Sequence, residues 1–207
     1  MALSNYDDLK SAIADWLNRQ DLTARIPDFI ALAEADLNRT LRVRDMLARA
    51  TASLTGQYTA LPTGFLKMEY VQLDIAKDRG LIMRTPEQMR IERLRMYSVS
   101  GEPRVFAIVG DSLELAPTPD TTYAGEMGYY AKTAALSAGS PTNWLMTKHP
   151  DAYLYGSLVH SAPYLKDDER LSGWVAAYDR IMERIRMEDE AARISGATPR
   201  VSFRRLG

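Results

Sequence analysis

The chain has no cysteine and only two histidines in 207 residues. The first absence excludes disulfides, thiolate zinc sites and cysteine nucleophiles. The second leaves His149 and His160, neither of which has the i, i+4 histidine partner of a helical metal site. No glycine-rich phosphate-binding motif occurs. Neither sign of charge dominates: 26 basic residues face 27 acidic ones, for a net charge of −1. A surface of that kind does not grip nucleic acid as a whole, so any contact with DNA must be local. No apolar run approaches the roughly 18–20 residues that cross a bilayer. The opening MALSNYDDLK is acidic and polar, unlike a signal peptide. Internal repeats and low-complexity tracts are also missing. The expectation is a protein made in the cytoplasm, with no membrane association and no metal or cofactor.

What remains is a globular composition, 46% hydrophobic and 26% charged, long enough for one core or a core with an inserted subdomain. Tyr6, Leu9, Ile13, Trp16 and Leu17 recur at spacings of three and four and predict an amphipathic helix. Ser4 or Asn5 can cap it, and Asp7 and Asp8 suit its positive end. A second helix starts at Pro27 and aligns Phe29, Ala33, Leu37 and Leu41, with Arg39, Arg42 and Arg44 near its negative end.

From about Met46 the texture turns to short β-like runs broken by Pro and Gly. ATASLTGQYTALP predicts a strand pair or an extended stretch. FLKMEYVQLDI predicts a strand weighted by Leu66, Met68, Tyr70 and Leu73. Thr85, Pro86 and Gln88 form a helix start with a capping box, with Met89, Leu94 and Met96 as its candidate buried side. PRVFAIVGDSLELAP predicts a hairpin turning at Gly110-Asp111. EMGYYAK, Glu126 to Lys132, predicts a further strand.

Gly139-Ser140-Pro141 marks a boundary, after which the pattern is helical. Pro150 opens a helix running to about Tyr164 and Leu165. Asp167, Asp168 and Glu169 open the next, in which Trp174, Tyr178, Ile181, Ile185 and Ala192 form one stripe. Helices, then strands, then helices predict an α+β fold: N- and C-terminal helices packed as a bundle, with an inserted β-rich middle. The expected divisions are residues 1–45, 46–138, 139–195 and an extended arm, 196–207.

Chemistry is hard to assemble from these residues. Glu34 with Asp36, or Glu69 with Asp74, are the carboxylate pairs open to a hydrolase. Asp167/Asp168 and Glu188/Glu190 read as a helix start and a solvated face. The aromatics Trp144, Tyr153, Tyr155, Tyr164, Trp174 and Tyr178 read as core or as contacts between subunits, since Tyr and Trp give large area at low entropy cost. Tyr153, Leu154, Tyr155 and Leu158 cover most of one helix's circumference, which suggests burial by a partner. The tail carries Arg200, Arg204 and Arg205 with Phe203 and Leu206 between them. It is either a solvated end or an arm that folds on a partner.

Five pieces in order carry a resemblance: IPDFIALAEADLNRTLRVRDM, LPTGFLKMEYVQL, GEPRVFAIVGDSLELAPTPD, YYAKTAALS and TNWLMTKHPDAYLYGSLVHSAPYLKDDERLSGW. Together they resemble the head-to-tail adaptor proteins of tailed bacteriophages, from Tyr6 to Ile194. The resemblance implies a virion structural protein of the neck, without catalysis. It implies a homo-oligomeric ring, usually of twelve copies, docked beneath the portal protein and presenting a platform to a tail or nozzle protein. DNA would pass through such a ring without specific binding. It further implies a C-terminal segment reaching along the portal, for which Arg200, Phe203, Arg204, Arg205 and Leu206, beyond the five pieces, are the candidate arm. A peptidoglycan-degrading tail enzyme and a non-viral interaction scaffold are the alternatives.

Overall fold

A computed structural model describes residues 3–76, 80–95, 99–165 and 169–194. The fold is α+β, with helices at both ends and strands between them. Residues up to Asp45 and from Thr133 onward form one compact unit, and Met46–Lys132 form a second. Tail residues Arg200, Phe203, Arg204, Arg205 and Leu206 lie outside the described residues, as do Met96, Asp167 and Asp168.

The first unit is helical. Helix α1 (Tyr6–Leu17) is capped by Asn5, whose Oδ1 accepts the backbone N–H groups of Asp7 and Asp8 at 2.9 Å each. Asp8 returns the favour by accepting the Ser4 N–H at 3.2 Å, so two orphan donors are satisfied at once. Its buried stripe is Leu9, Ala12, Ile13 and Leu17. Trp16, expected on that stripe, is instead 42% exposed, turned aside to meet Tyr155 edge-on at 5.5 Å. Helix α2 (Ile26–Thr40) carries Pro in its first turn and buries Ile26, Phe29, Ile30, Ala33 and Leu37.

Helix α4 (Trp144–Lys148) is capped by Asn143, which accepts the Met146 N–H at 2.8 Å. Helix α5 (Pro150–His160) ends earlier than the sequence pattern suggests, because Pro163 cannot continue it. The chain turns instead through a 3-10 segment, Ala162–Tyr164. Helix α6 (Arg170–Ile194) buries Trp174, Tyr178, Ile181 and Ile185 of the stripe its spacing predicts, adds Met182, and leaves Ala192 half-buried.

Helix α5 sits among α1, α2, α4 and α6. Ala152, Tyr153, Leu154, Gly156, Ser157 and Leu158 are all buried. The chain's own helices therefore cover Tyr153, Leu154 and Leu158 of that apolar circumference and leave Tyr155 half-buried. Gly156 is part of the reason they fit. A Cβ there would stand 3.2 Å from Ala33 Cβ and 3.1 Å from the Tyr178 ring, so the absent side chain lets α2 and α6 close on α5.

The second unit is built of strands. β1 (Leu47–Leu54), β7 (Tyr123–Ala131) and β3 (Phe65–Leu73) form an antiparallel sheet in the order β1-β7-β3. β2 (Tyr58–Ala60), β6 (Ser112–Ala116), β5 (Val105–Val109) and β4 (Ile82–Met83) form a second sheet, β2-β6-β5-β4, in which β4 runs parallel to β5. β1 and β2 do not pair with each other, contrary to the hairpin their sequence allows; each joins a different sheet.

The β5–β6 hairpin is as predicted. Val109 pairs with Ser112, and Gly110 takes φ 59°, the left-handed conformation a two-residue turn demands. Leu54, Met68, Val71, Leu73, Met127 and Tyr129 from the first sheet share one core with Phe106, Leu113 and Leu115 from the second. In β3 the buried positions are Met68, Val71 and Leu73; Met68 and Leu73 are among the four apolar residues expected to weight the strand, and Val71 is not. Register shifts after Phe65 and after Met68 move Val71 inward and leave Leu66 and Tyr70 half-buried.

Helix α3 (Pro86–Arg95) covers the other face of the second sheet, where Met89 packs with Val105, Ala107 and Ala116. Its capping box is formed: Thr85 N–H donates to Gln88 at 3.1 Å, and Gln88 N–H donates to Thr85 Oγ1 at 3.3 Å. Leu94, expected inside, is 66% exposed.

Candidate functional site

Of the side chains singled out in the sequence, Glu69 and Asp74 are exposed in the strand-built unit, while Glu34, Asp36 and the six aromatics lie on the helical unit, which also holds two polar groupings. The first lies along α2. Thr133 N–H donates to Asn38 at 2.9 Å, and Leu136 N–H donates to Glu34 at 2.7 Å. Asn38 and Glu34 are one turn apart, so a single face of α2 holds the incoming residues 133–136. Asn143 donates to the Ala134 carbonyl and to the Tyr153 hydroxyl, both at 2.7 Å, and Tyr153 lies 3.4 Å from Glu34. Burial pushes the Glu34 carboxyl above its ordinary value, against the Leu136 N–H and the Tyr153 hydroxyl, which favour the charged form. Burial likewise pushes the Tyr153 phenol up.

Two residues further along α2, Asp36 points another way and accepts the Tyr178 hydroxyl at 2.8 Å. Burial and that carboxylate both raise the Tyr178 phenol. Glu34 and Asp36 thus serve different tyrosines on different helices. They do not face each other across a cleft, as two hydrolytic carboxylates must.

The second grouping lines a recess of about 140 Å³ whose wall includes Arg44, Trp144, Lys148, His149, Glu188 and Asp189. Asp189 accepts the Arg44 backbone N–H at 2.8 Å, Arg44 Nε at 3.2 Å and Arg193 Nε at 2.8 Å. Burial would raise its carboxyl, but these donors outweigh that and hold it below the usual carboxylate range. Lys148 pairs with Asp45, and His149 Nε2 stands 4.0 Å from Glu188. These contacts fasten the chain leaving α2 against α4 and α6. Sequence spacing does not reveal them, since Arg44 and Asp189 lie 145 residues apart.

The six candidate aromatics divide by environment. Tyr153, Trp174 and Tyr178 are buried, at 1%, 5% and 8% exposure. Trp174 also lies under the Arg170 guanidinium, 5.1 Å from its ring centre. Trp144 is half-buried and donates from its indole to Thr133 at 3.2 Å. Tyr155 is half-buried against Trp16. Tyr164 is exposed beside Phe29, with ring centres 5.3 Å apart. Among the described residues no group of three or more His, Asp or Glu is placed to hold a metal ion, and no helix is long and apolar enough to cross a membrane.

The described residues define a class: an α+β chain whose helical ends make one unit and whose middle makes a second, strand-built one. Over residues 4–201 the chain matches the family model described as SU10 adaptor protein, and it belongs to that family. A comparison with curated proteins found no match.

Proposed function

We propose that the chain is a structural head-to-tail adaptor of a tailed phage, a component of the virion neck associating with other head and tail proteins. Membership of the adaptor family over residues 4–201 carries this reading. In its finer form, copies form a closed ring, with twelve as the expected number, beneath the portal protein. The ring extends the DNA channel and offers a platform to a tail or nozzle protein. A closed ring uses two different patches on every subunit. Exposed aromatic and aliphatic side chains such as Trp16, Leu32 and Tyr164 on the helical unit are available for such contacts. Arg200, Phe203, Arg204, Arg205 and Leu206 supply an arm that docks on the portal. Near-neutral net charge suits a channel wall that lets DNA pass, because phosphate affinity grows with every neutralising Lys or Arg. The role is structural: the carboxylates open to hydrolysis on α2 are engaged with Tyr153 and Tyr178.

The test is cryo-electron microscopy of the purified chain mixed with its cognate portal. A ring stacked on the portal is the expected image. A bare portal beside a monomeric chain would reject the reading, and a cell-wall zymogram would then test the enzymatic alternative.

A further inference from the structure

Among the described residues the two sheets of the strand-built unit have four outer edges, and three of them are blunted. β2 has three residues and β4 has two. β3 is interrupted by two register shifts, and near its end Val71 already accepts the Leu81 N–H at 2.7 Å. Short strands, bulges and covering segments are the devices by which proteins keep sheet edges from pairing with other chains.

β1 has none of these. It pairs with β7 in unbroken register over all eight residues, from Leu47 opposite Tyr130 to Leu54 opposite Tyr123. It contains no proline, and among the described residues its other edge has no strand beside it. About half the residues of such an edge turn their N–H and C=O groups outward, unpaired. Its inward-facing Ala48, Ala50 and Ala52 are only half-buried against the shared core, so the core is thinly covered along this margin.

We propose that β1 is an acceptor edge for an extended, acid-bearing strand of a partner protein. Backbone hydrogen bonds would supply the attachment, and alternate apolar side chains of the incoming strand would complete the cover over the three alanines. The charge on the edge selects the partner. Arg49 is the one charged residue of β1, and its side chain is 77% exposed, with Glu126 at 4.0 Å. A second copy of β1 brings another arginine and no acid. The chain's own residues 195–207 bring Arg200, Arg204 and Arg205 and no acid. Both place like charges together, whereas a carboxylate opposite Arg49 is stabilising. The inference rests on the strand-built unit and does not depend on the ring.

The experiment uses the full chain and a blocked, fluorescein-labelled octapeptide alternating valine with threonine, with aspartate at a central threonine position. Saturable binding by anisotropy is expected. The same peptide with lysine for aspartate should bind two- to fivefold more weakly. Arg49→Gln should abolish that preference and Arg49→Glu invert it, with the variants' melting temperatures checking the fold. A peptide N-methylated at alternate nitrogens should not bind. Equal binding by the N-methylated peptide, or none of the aspartate peptide up to millimolar chain, would overturn the proposal. So would a dimer in sedimentation whose β1 amides resist hydrogen exchange, since a second copy would then occupy the edge.

Discussion

Tyr178 on α6 donates its hydroxyl to Asp36 on α2 across 2.8 Å, and the edge of the same phenol ring passes Gly156 of α5. One side chain thereby ties three helices together through one hydrogen bond and one close packing contact. The two effects can be separated. Tyr178→Phe removes the bond and leaves Asp36 able to find water, so a loss of about 1 kcal/mol is expected. Tyr178→Ala also empties the space against Gly156 and should cost about 3–5 kcal/mol. Urea unfolding of both variants measures the two losses; equal losses would mean that packing contributes nothing there.

Glu34 gives the helical unit a pH signature. Its folded pKa is raised above the ordinary glutamate value, mainly by burial, so the folded state holds that proton more tightly than the unfolded chain. The resulting stabilisation is fully present below about pH 4.5 and is lost as pH rises through the folded pKa. Glu34→Gln has no such proton and still offers an oxygen to the Leu136 N–H. The melting temperature of the variant relative to the parent should therefore rise between pH 4 and pH 7. A difference that stays constant over that range would show that Glu34 binds its proton equally well in the folded and unfolded chain.

In the strand-built unit, the Tyr70 ring lies over Gly128. A Cβ at Gly128 would stand 2.2 Å from the ring, far inside contact distance. Tyr70 is held there by its hydrogen bond to Glu126. Gly128→Ala should destabilise the unit by about 1–3 kcal/mol. In the Tyr70→Ala background the same change should cost little, because the clash is gone. A double-mutant cycle by calorimetry reads this coupling directly.

Glu114 is 9% exposed and accepts Arg93 Nε at 2.7 Å and Gln57 Nε2 at 3.2 Å. Arg93 also donates to the Leu115 carbonyl, so α3 is pinned to β6 by a shielded ion pair. Arg93→Met strands a carboxylate in a poorly hydrated place and should cost about 3–5 kcal/mol. Adding Glu114→Leu should recover much of that loss, because the desolvation of two charges vanishes with them. A double variant no more stable than Arg93→Met alone would assign the loss to packing by the arginine stem.

Much of the local structure was legible in the sequence because its causes are local. Asn5 caps α1, and Thr85 with Gln88 closes a capping box, since each needs only a side-chain oxygen within three residues of an orphan N–H. Gly110-Asp111 turns the hairpin because glycine accepts a positive φ. The α6 stripe follows from helical periodicity alone.

The misplacements arise where neighbours remote in sequence decide. Trp16 and Leu94 fit the buried faces of their helices by spacing, yet Trp16 meets only the edge of Tyr155 and stays 42% exposed, and Leu94 is 66% exposed. Val71 turns inward because of register shifts that no composition announces. The apolar circumference of α5 pointed to a partner; the chain's own helices bury Tyr153, Leu154 and Leu158 of it and leave Tyr155 half-buried.

By itself, then, the sequence determined the α+β class, the caps, the hairpin turn and the exclusion of cysteine chemistry. All of these depend on residue type and short-range hydrogen bonding. Only the tertiary structure decided that β1 and β2 join different sheets, that Glu34 and Asp36 serve separate tyrosines, and that Asp189 gathers Arg44 from the far end of the chain. The physical reason is that burial and pairing are collective. A strand or a carboxylate has many equivalent partners in sequence, and close packing of the whole unit selects one of them.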